Sequence, residues 1–342
     1  MKLLKILFIL LSCLHISCST GKTTGEEQPP DNHRKIIVAY VTSWSSTMPD
    51  PIYMTHINYA FGHVNDSFDG VRIDNEERLK EIVLLKKSNP ELKILLSIGG
   101  WGSGRFSEMA ADTKNRNSFA ADCRRIVEQF HLDGIDIDWE YPTSSAAQIS
   151  SSPEDTENFT LLMKDIREAI GDNKLLTLAS AASAGFIDFR AIDPYMDFIN
   201  IMAYDMSTPP THHSALYRSA HAGKRTSEEA VEAHLSAGVP LHKLVLGMPF
   251  YGRGNKSLPG FIDYKKIEQL DGYQEHWDNV AKVPYLTDTA GELVCTYDNP
   301  RSLAIKCEYI LERGLLGGMY WDYDGDNAAG ELRKTVYETL NR

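Results

Sequence analysis

Residues 133–140 read Asp133-Gly134-Ile135-Asp136-Ile137-Asp138-Trp139-Glu140, and the alternation within them decides the fold. Strand side chains point to opposite faces in turn, so Asp136, Asp138 and Glu140 share one face and Ile135, Ile137 and Trp139 the other. In a sheet closed into a barrel and clad with helices, the apolar set packs outward on the helices and the acidic set points inward. Same-face neighbours lie roughly 6.5–7 Å apart, and at an effective dielectric near 20 two like charges at that distance repel by about 2.5 kcal/mol. Full ionisation is therefore disfavoured. The row shares protons as a group, and its outermost member, Glu140, is left able to act as a general acid near neutral pH. A solvated strand face is the competing reading, and the apolar residues on either side speak against it. A divalent metal would prefer ligands from several loops.

Outward from this strand, short segments rich in β-branched and aromatic residues alternate with amphipathic helical stretches, the pattern of repeated β-α units around a parallel sheet. Eight strands are expected, at 36–44, 56–64, 93–101, 134–141, 174–181, 197–205, 243–251 and 315–323. Helices are expected at about 75–88, 115–131, 155–170, 227–237, 301–313 and 329–341, with a shorter one near 186–196. Over 155–170, Phe159, Leu162, Met163, Ile166 and Ile170 recur at three- and four-residue steps, Asp155 can cap the start and Gly171 follows the end. The fold class is α/β, a (β/α)8 barrel in which the loops after the C-terminal strand ends build the site. No composition break divides the longer connection at 252–314, so residues 34–342 read as one domain.

Of 342 residues, 42% are apolar and 24% charged, ordinary globular composition. Met1-Lys2-Leu3-Leu4-Lys5 and the apolar run to Ile16-Ser17-Cys18 form a charged region followed by a short apolar one, the pattern of an export signal. A cysteine after a small residue resembles a bacterial lipobox. Cys18 is the expected lipidation point, with Cys13 a rival that leaves a very short apolar region. A membrane partner through a lipid anchor, at the outer membrane or cell surface, is the expectation. Residues 19–33 then read as a polar tether. Removing residues 1–18 takes away Lys2 and Lys5, so the formal charge goes from -12 to -14. That acidity argues against nucleic acid, whose binding depends on neutralising phosphates. Cys123, Cys295 and Cys307 are too few and too irregular for a disulfide framework or a zinc site. Cys123 reads as buried, and a pairing of Cys295 with Cys307 stays open.

The segment DGIDIDWEYP resembles the catalytic signature of family 18 glycoside hydrolases, the chitinases and their relatives. Ser97-Ile98-Gly99-Gly100-Trp101, Met202-Ala203-Tyr204-Asp205, Pro249-Phe250-Tyr251-Gly252-Arg253 and Gly318-Met319-Tyr320-Trp321 follow in that family's order, from about residue 34 to 340. The resemblance implies a retaining mechanism without an enzyme nucleophile, an exception to the two-carboxylate scheme. In it Glu140 protonates the glycosidic oxygen, Asp138 hydrogen-bonds the acetamido N–H, Asp136 shares the Asp138 proton and Tyr204 hydrogen-bonds the acetamido oxygen. Trp321 forms an apolar floor, and Trp101 stacks on a sugar on the leaving-group side. Tyr40, Met202, Asp205 and Arg253 line the cleft. Phe61 and Gly100 complete the expected binding set, Tyr40 and Phe61 being open between core and ligand platform. His212 and His213 read as lining the cleft rather than chelating a metal.

The implied partner is an N-acetylglucosamine-containing polysaccharide or oligosaccharide, bound by a monomer without cofactor or metal. Many chitinases insert a small α+β subdomain after the segment matching Tyr251-Gly252-Arg253, and here most of it is missing, which favours a shallow cleft and endo-acting attack. An endo-β-N-acetylglucosaminidase acting on N-glycans is the nearest rival, and a non-catalytic carbohydrate-binding relative is the rival of a different class. Peptidoglycan is a further candidate substrate, and neither an added binding module nor a repeat argues for it.

Overall fold

The computed structural model describes residues 35–255 and 258–342. Cys18, Cys13, the export signal and the tether lie outside the described residues. The chain runs through β1 (Ile36–Thr42), β2 (His56–Val64), β3 (Val71–Ile73), α1 (Glu76–Val83), β4 (Lys93–Gly99), α2 (Phe106–Ala111), α3 (Thr113–Gln129) and β5 (Gly134–Asp138). It continues through α4 (Asp155–Ile170), β6 (Leu175–Ala181), α5 (Phe189–Ile192), β7 (Phe198–Met202), α6 (Ser227–Ala237) and β8 (Leu244–Pro249). Then follow β9 (Tyr251–Gly254), β10 (Ile262–Asp263), α7 (Tyr264–Ile267), β11 (Gln274–Asp278), β12 (Val283–Thr287), β13 (Leu293–Thr296), α8 (Pro300–Arg313), β14 (Gly317–Trp321) and α9 (Glu331–Leu340).

The strands β1, β14, β8, β7, β6, β5, β4 and β2 pair in parallel in that order, and β1 also pairs with β2, which closes the barrel. The expected fold class is therefore the observed one. Ile135, Ile137 and Trp139 are buried outside the ring, with the Trp139 indole stacked on Phe106 of α2 at 5.2 Å and tilted on Phe159 of α4 at 6.0 Å. A second apolar cluster fills the ring interior with Val38, Tyr40, Phe61, Phe198, Val245 and Met319. Burial on both faces is what a parallel barrel requires.

Three details depart from the sequence reading. Asp155 does not cap α4; Glu154 holds the cap position, and Asp155 is the first helical residue, fully buried. Its carboxylate accepts from Ser107 Oγ (2.7 Å), Ser152 N (2.8 Å) and Thr143 N (3.1 Å), which ties the loop after β5 to α2 and α4. Helix α2 had no sequence signal of its own. Within the long connection, β10, β9, β13, β12 and β11 form an antiparallel five-stranded sheet. Cys123, Cys295 and Cys307 are all buried and free. Among the described residues no helix is long and apolar enough to cross a membrane.

Candidate active site

Strand β5 ends its ladder at Asp138, opposite Gly99 of β4. A Cβ on Gly99, whose φ is +132°, would lie 1.9 Å from the Asp138 carbonyl oxygen, so only glycine lets the two strands meet here. Gly100 N then donates to the same oxygen at 2.8 Å, and a Cβ on Gly100 would strike the Phe61 ring at 2.7 Å. Gly100 therefore seats Phe61 and the top of β5, and it does not itself line the cleft. Non-proline cis peptides occur at Ala60–Phe61, Glu140–Tyr141 and Trp321–Asp322.

Asp136, at the bottom of the acid column, is fully buried and accepts from four strands around it: Tyr40 Oη (2.8 Å), Ser97 Oγ (2.8 Å), Thr177 Oγ1 (2.5 Å) and Asn200 Nδ2 (3.3 Å). Burial raises its pKa, and those four hydrogen bonds act against the rise. Asp138 has no such support. Its Oδ1 is buried with no hydrogen-bond partner, and burial first, then the charges of Glu140 and Asp136, push its pKa well above the usual carboxylate range. Glu140 at the top is pushed up to about 7, chiefly by burial and further by the charge of Asp205, while a hydrogen bond with Tyr141 pulls the other way. The proton at the top of the column thus owes more to desolvation than to the repulsion argued from strand spacing.

Above the column opens a cleft of about 800 Å³ lined by Glu140, Asp138, Tyr204, Tyr40, Phe61, Trp101, Met202, Asp205, Arg253 and Trp321. Among the described residues, every one expected at the site is in this lining except Asp136, which lies beneath it, Gly100, and the two histidines His212 and His213. Trp321 stacks on Phe61 at 5.6 Å and 19°, with Tyr40 at 5.6 Å and Trp44 at 6.4 Å on its flanks. Trp101 stands 65% exposed at the rim, edge-on to Tyr141 at 6.5 Å. Sequence reasoning missed Trp44, Tyr141, Phe186 and Phe261, which also line the cleft. Their signal was position alone: aromatics beyond strand ends, three of them in the stacked pairs Tyr141–Phe186 (5.0 Å) and Tyr251–Phe261 (4.3 Å).

His212 and His213 do not line the cleft. Both are fully buried, His212 bridging Asp278 (3.1 Å) and Thr296 Oγ1 (3.3 Å) of the small sheet, and His213 Nδ1 lying 3.5 Å from Asp205 Oδ1. Asp205 is also gripped by Arg253, whose Nε donates to Oδ1 at 2.6 Å and whose Nη2 donates to Oδ2. Burial works to raise the Asp205 pKa, but hydrogen bonds and charge from His213 and Arg253 overrule it and hold the carboxyl well below the usual range. Asp205 is then the fixed anion that makes Glu140 harder to ionise. Asp205→Asn removes that anion and leaves the Arg253 cation uncompensated, and both changes favour ionised Glu140. The basic limb of the kcat/KM profile, near pH 7 in the parent, is expected to move to lower pH; a limb that stays or moves upward overturns this assignment.

The profile of the glycosyl hydrolases family 18 matches residues 36–326. The chain is 30% identical to chitinase A1 of Niallia circulans over 94% of its own length, and it spans 60% of the length of that relative. It is 31% identical to chitotriosidase-1 of Mus musculus, covering 89% of this chain and 78% of the other. A solved structure described as a novel family 18 N-acetylglucosaminidase from Paenibacillus barengoltzii superposes with a TM-score of 0.83 at 33% identity, covering 89% of this chain and 99% of that one. With the barrel, the acid column and these matches together, the chain belongs to glycosyl hydrolase family 18.

Proposed function

We propose that this glycoside hydrolase cuts β-1,4-linked N-acetylglucosamine chains, chitin or chito-oligosaccharides, with retention and with the substrate's own acetamido oxygen as nucleophile. The observation that carries this is the charge state of the carboxylates. Glu140 holds a proton near neutral pH at the cleft floor, Asp138 below it is pushed toward its neutral form by burial and by the charges of Glu140 and Asp136, and Asp205 is ionised but bound by Arg253. A two-carboxylate retaining scheme needs a free, ionised carboxylate to attack the anomeric carbon. The cleft offers none, so attack falls to the substrate.

Glu140 gives its proton to the glycosidic oxygen, the electron pair of the breaking bond leaves with the departing sugar, and the acetamido oxygen closes on the anomeric carbon. Ionised Glu140 then takes a proton from the water that reopens the ring. Asp138 Oδ1, buried without a partner, accepts the acetamido N–H. Among the described residues Tyr204 Oη has only Met319 Sδ as a hydrogen-bond partner, at 3.8 Å, and is available to the acetamido oxygen. The Trp321 cluster supplies an apolar bed for the sugar ring. Incubation with chitohexaose and with a high-mannose glycoprotein tests the reading. Shorter N-acetylglucosamine oligomers released first as β anomers are the expected products. Release of intact glycan from the glycoprotein with chitohexaose untouched overturns it in favour of the endo-β-N-acetylglucosaminidase.

The same reading includes export and lipid attachment at Cys18, supported by Lys2, Lys5 and the apolar run before it. Cys18→Ala is expected to move the protein from the membrane to the soluble fraction of fractionated cells, and an unchanged distribution sinks the anchor.

A further inference from the structure

Lys224 and Arg225 line the same cleft, and the reaction just described uses neither. They sit in the loop between β7 and α6. In the strand order, the ends of β6 and β7 stand across the ring from those of β1 and β2, which carry Tyr40, Trp44 and Phe61. The two cations therefore occupy the wall opposite the aromatic one. Among the described residues neither side chain has a carboxylate within 4 Å. Arg225 is left open for a visible reason: Glu229, the carboxylate its charge acts on, is taken by Arg218, whose Nε donates to Oε1 at 2.8 Å and whose Nη2 donates to Oε2. Glu229 Oε2 also accepts from Thr226 N at 3.2 Å, closing the capping box of α6. The third cation of the cleft, Arg253, is neutralised by Asp205.

The local charge balance is therefore opposite to that of the chain. With Glu140 and Asp138 protonated, Lys224 and Arg225 remain uncompensated in the cleft of a protein whose formal charge is -12. A neutral N-acetylglucosamine chain has no group that needs them. An open guanidinium beside an ammonium is the donor set that recognises a carboxylate in a cleft, and partly walled clefts focus such fields on an anionic ligand.

Resting on the function proposed above, we infer that the Lys224–Arg225 wall binds a carboxylate on the glycan, and that the preferred substrate is an N-acetylglucosamine chain with an acidic unit beside the scissile bond. Two glycans share this chemistry, one through the lactyl ether of N-acetylmuramic acid and one through a uronic acid. The discriminating experiment compares kcat/KM on chitotetraose, a peptide-free N-acetylglucosamine/N-acetylmuramic acid tetrasaccharide and a hyaluronan tetrasaccharide, each acidic one also as its methyl ester. At least one acid is expected to exceed chitotetraose by about 10-fold, a charge-assisted contact's order of magnitude; its ester loses the advantage, and raised salt shrinks it. Which acid wins names the source. Arg225→Gln is expected to bring the acid-to-ester ratio to near one, Arg225→Lys to restore part of it, and Arg225→Glu to reverse it. Cleavage of chitotetraose with both acids no better than their esters overturns the inference and leaves the proposed function standing. No cleavage of any of the oligosaccharides overturns both, and a ratio unchanged in Arg225→Gln removes the wall from the account.

Discussion

Glu140→Gln is expected to lower kcat on chito-oligosaccharides by about 10³- to 10⁴-fold, the upper range for removing a general acid. Glutamine keeps the shape of the side chain at the top of the acid column and cannot supply the proton that Glu140 holds near pH 7. The aromatic cluster of Trp321, Phe61 and Tyr40 is untouched, so the loss falls on kcat and oligosaccharide binding by calorimetry persists. A variant within 10-fold of the parent rate removes Glu140 from the role of acid.

The second large effect is expected from Asp138→Asn, a fall in kcat of about 10²- to 10³-fold, as for loss of one preorganised group that stabilises transition-state charge. Asp138 has the unpartnered oxygen in the column, so under the proposed mechanism the cost arises at the contact to the acetamido group, whereas Asp136 is already satisfied by four donors. Asparagine is neutral at every pH, and Asp138 is itself pushed toward its neutral form by burial and by the charge of Glu140, so the substitution takes no anion from beside Glu140. The basic limb of the profile is therefore expected to stay near its parent position, in contrast to Asp205→Asn, while the loss of rate is far larger. A limb that moves to lower pH shows that Asp138 carries charge beside Glu140, and a rate within 10-fold of the parent removes Asp138 from the reacting centre.

The two variants separate what each acid does. In Asp205→Asn the proposed contact of Asp138 to the acetamido group is left in place and only the proton affinity of Glu140 is expected to change. In Asp138→Asn the contact changes and the proton affinity of Glu140 does not. Measuring kcat at low pH, where Glu140 is protonated in every variant, isolates the contact from the titration.

Much of the barrel was legible because its strands repeat one rule. Residues 36–42, 93–99 and 134–138 alternate or run apolar at period two, and they differ from the expected spans only in shedding the last residues, which leave the ladder to enter the cleft. The helices 155–170 and 227–237 have the expected bounds because a glycine follows each end, Gly171 and Gly238. Helix α2, at six residues, is too short for a 3.6-residue period to declare itself. The small antiparallel sheet has strands of two to five residues, too short for a dependable alternation.

By itself the sequence determined the periodicity of the strands and helices, the inward column of Asp136, Asp138 and Glu140, and the family of which they are the signature. The tertiary structure alone decided which of those acids is neutral and why, since burial depends on every strand around the ring. It also decided that His212 and His213 turn away from the cleft, and that Arg225 is left without a partner because Arg218 has taken Glu229. Alternation is a local property that a chain carries along its length, whereas the environment of the acid column is set by residues such as Asn200 and Tyr40, 64 and 96 positions from Asp136, which meet only when the barrel closes.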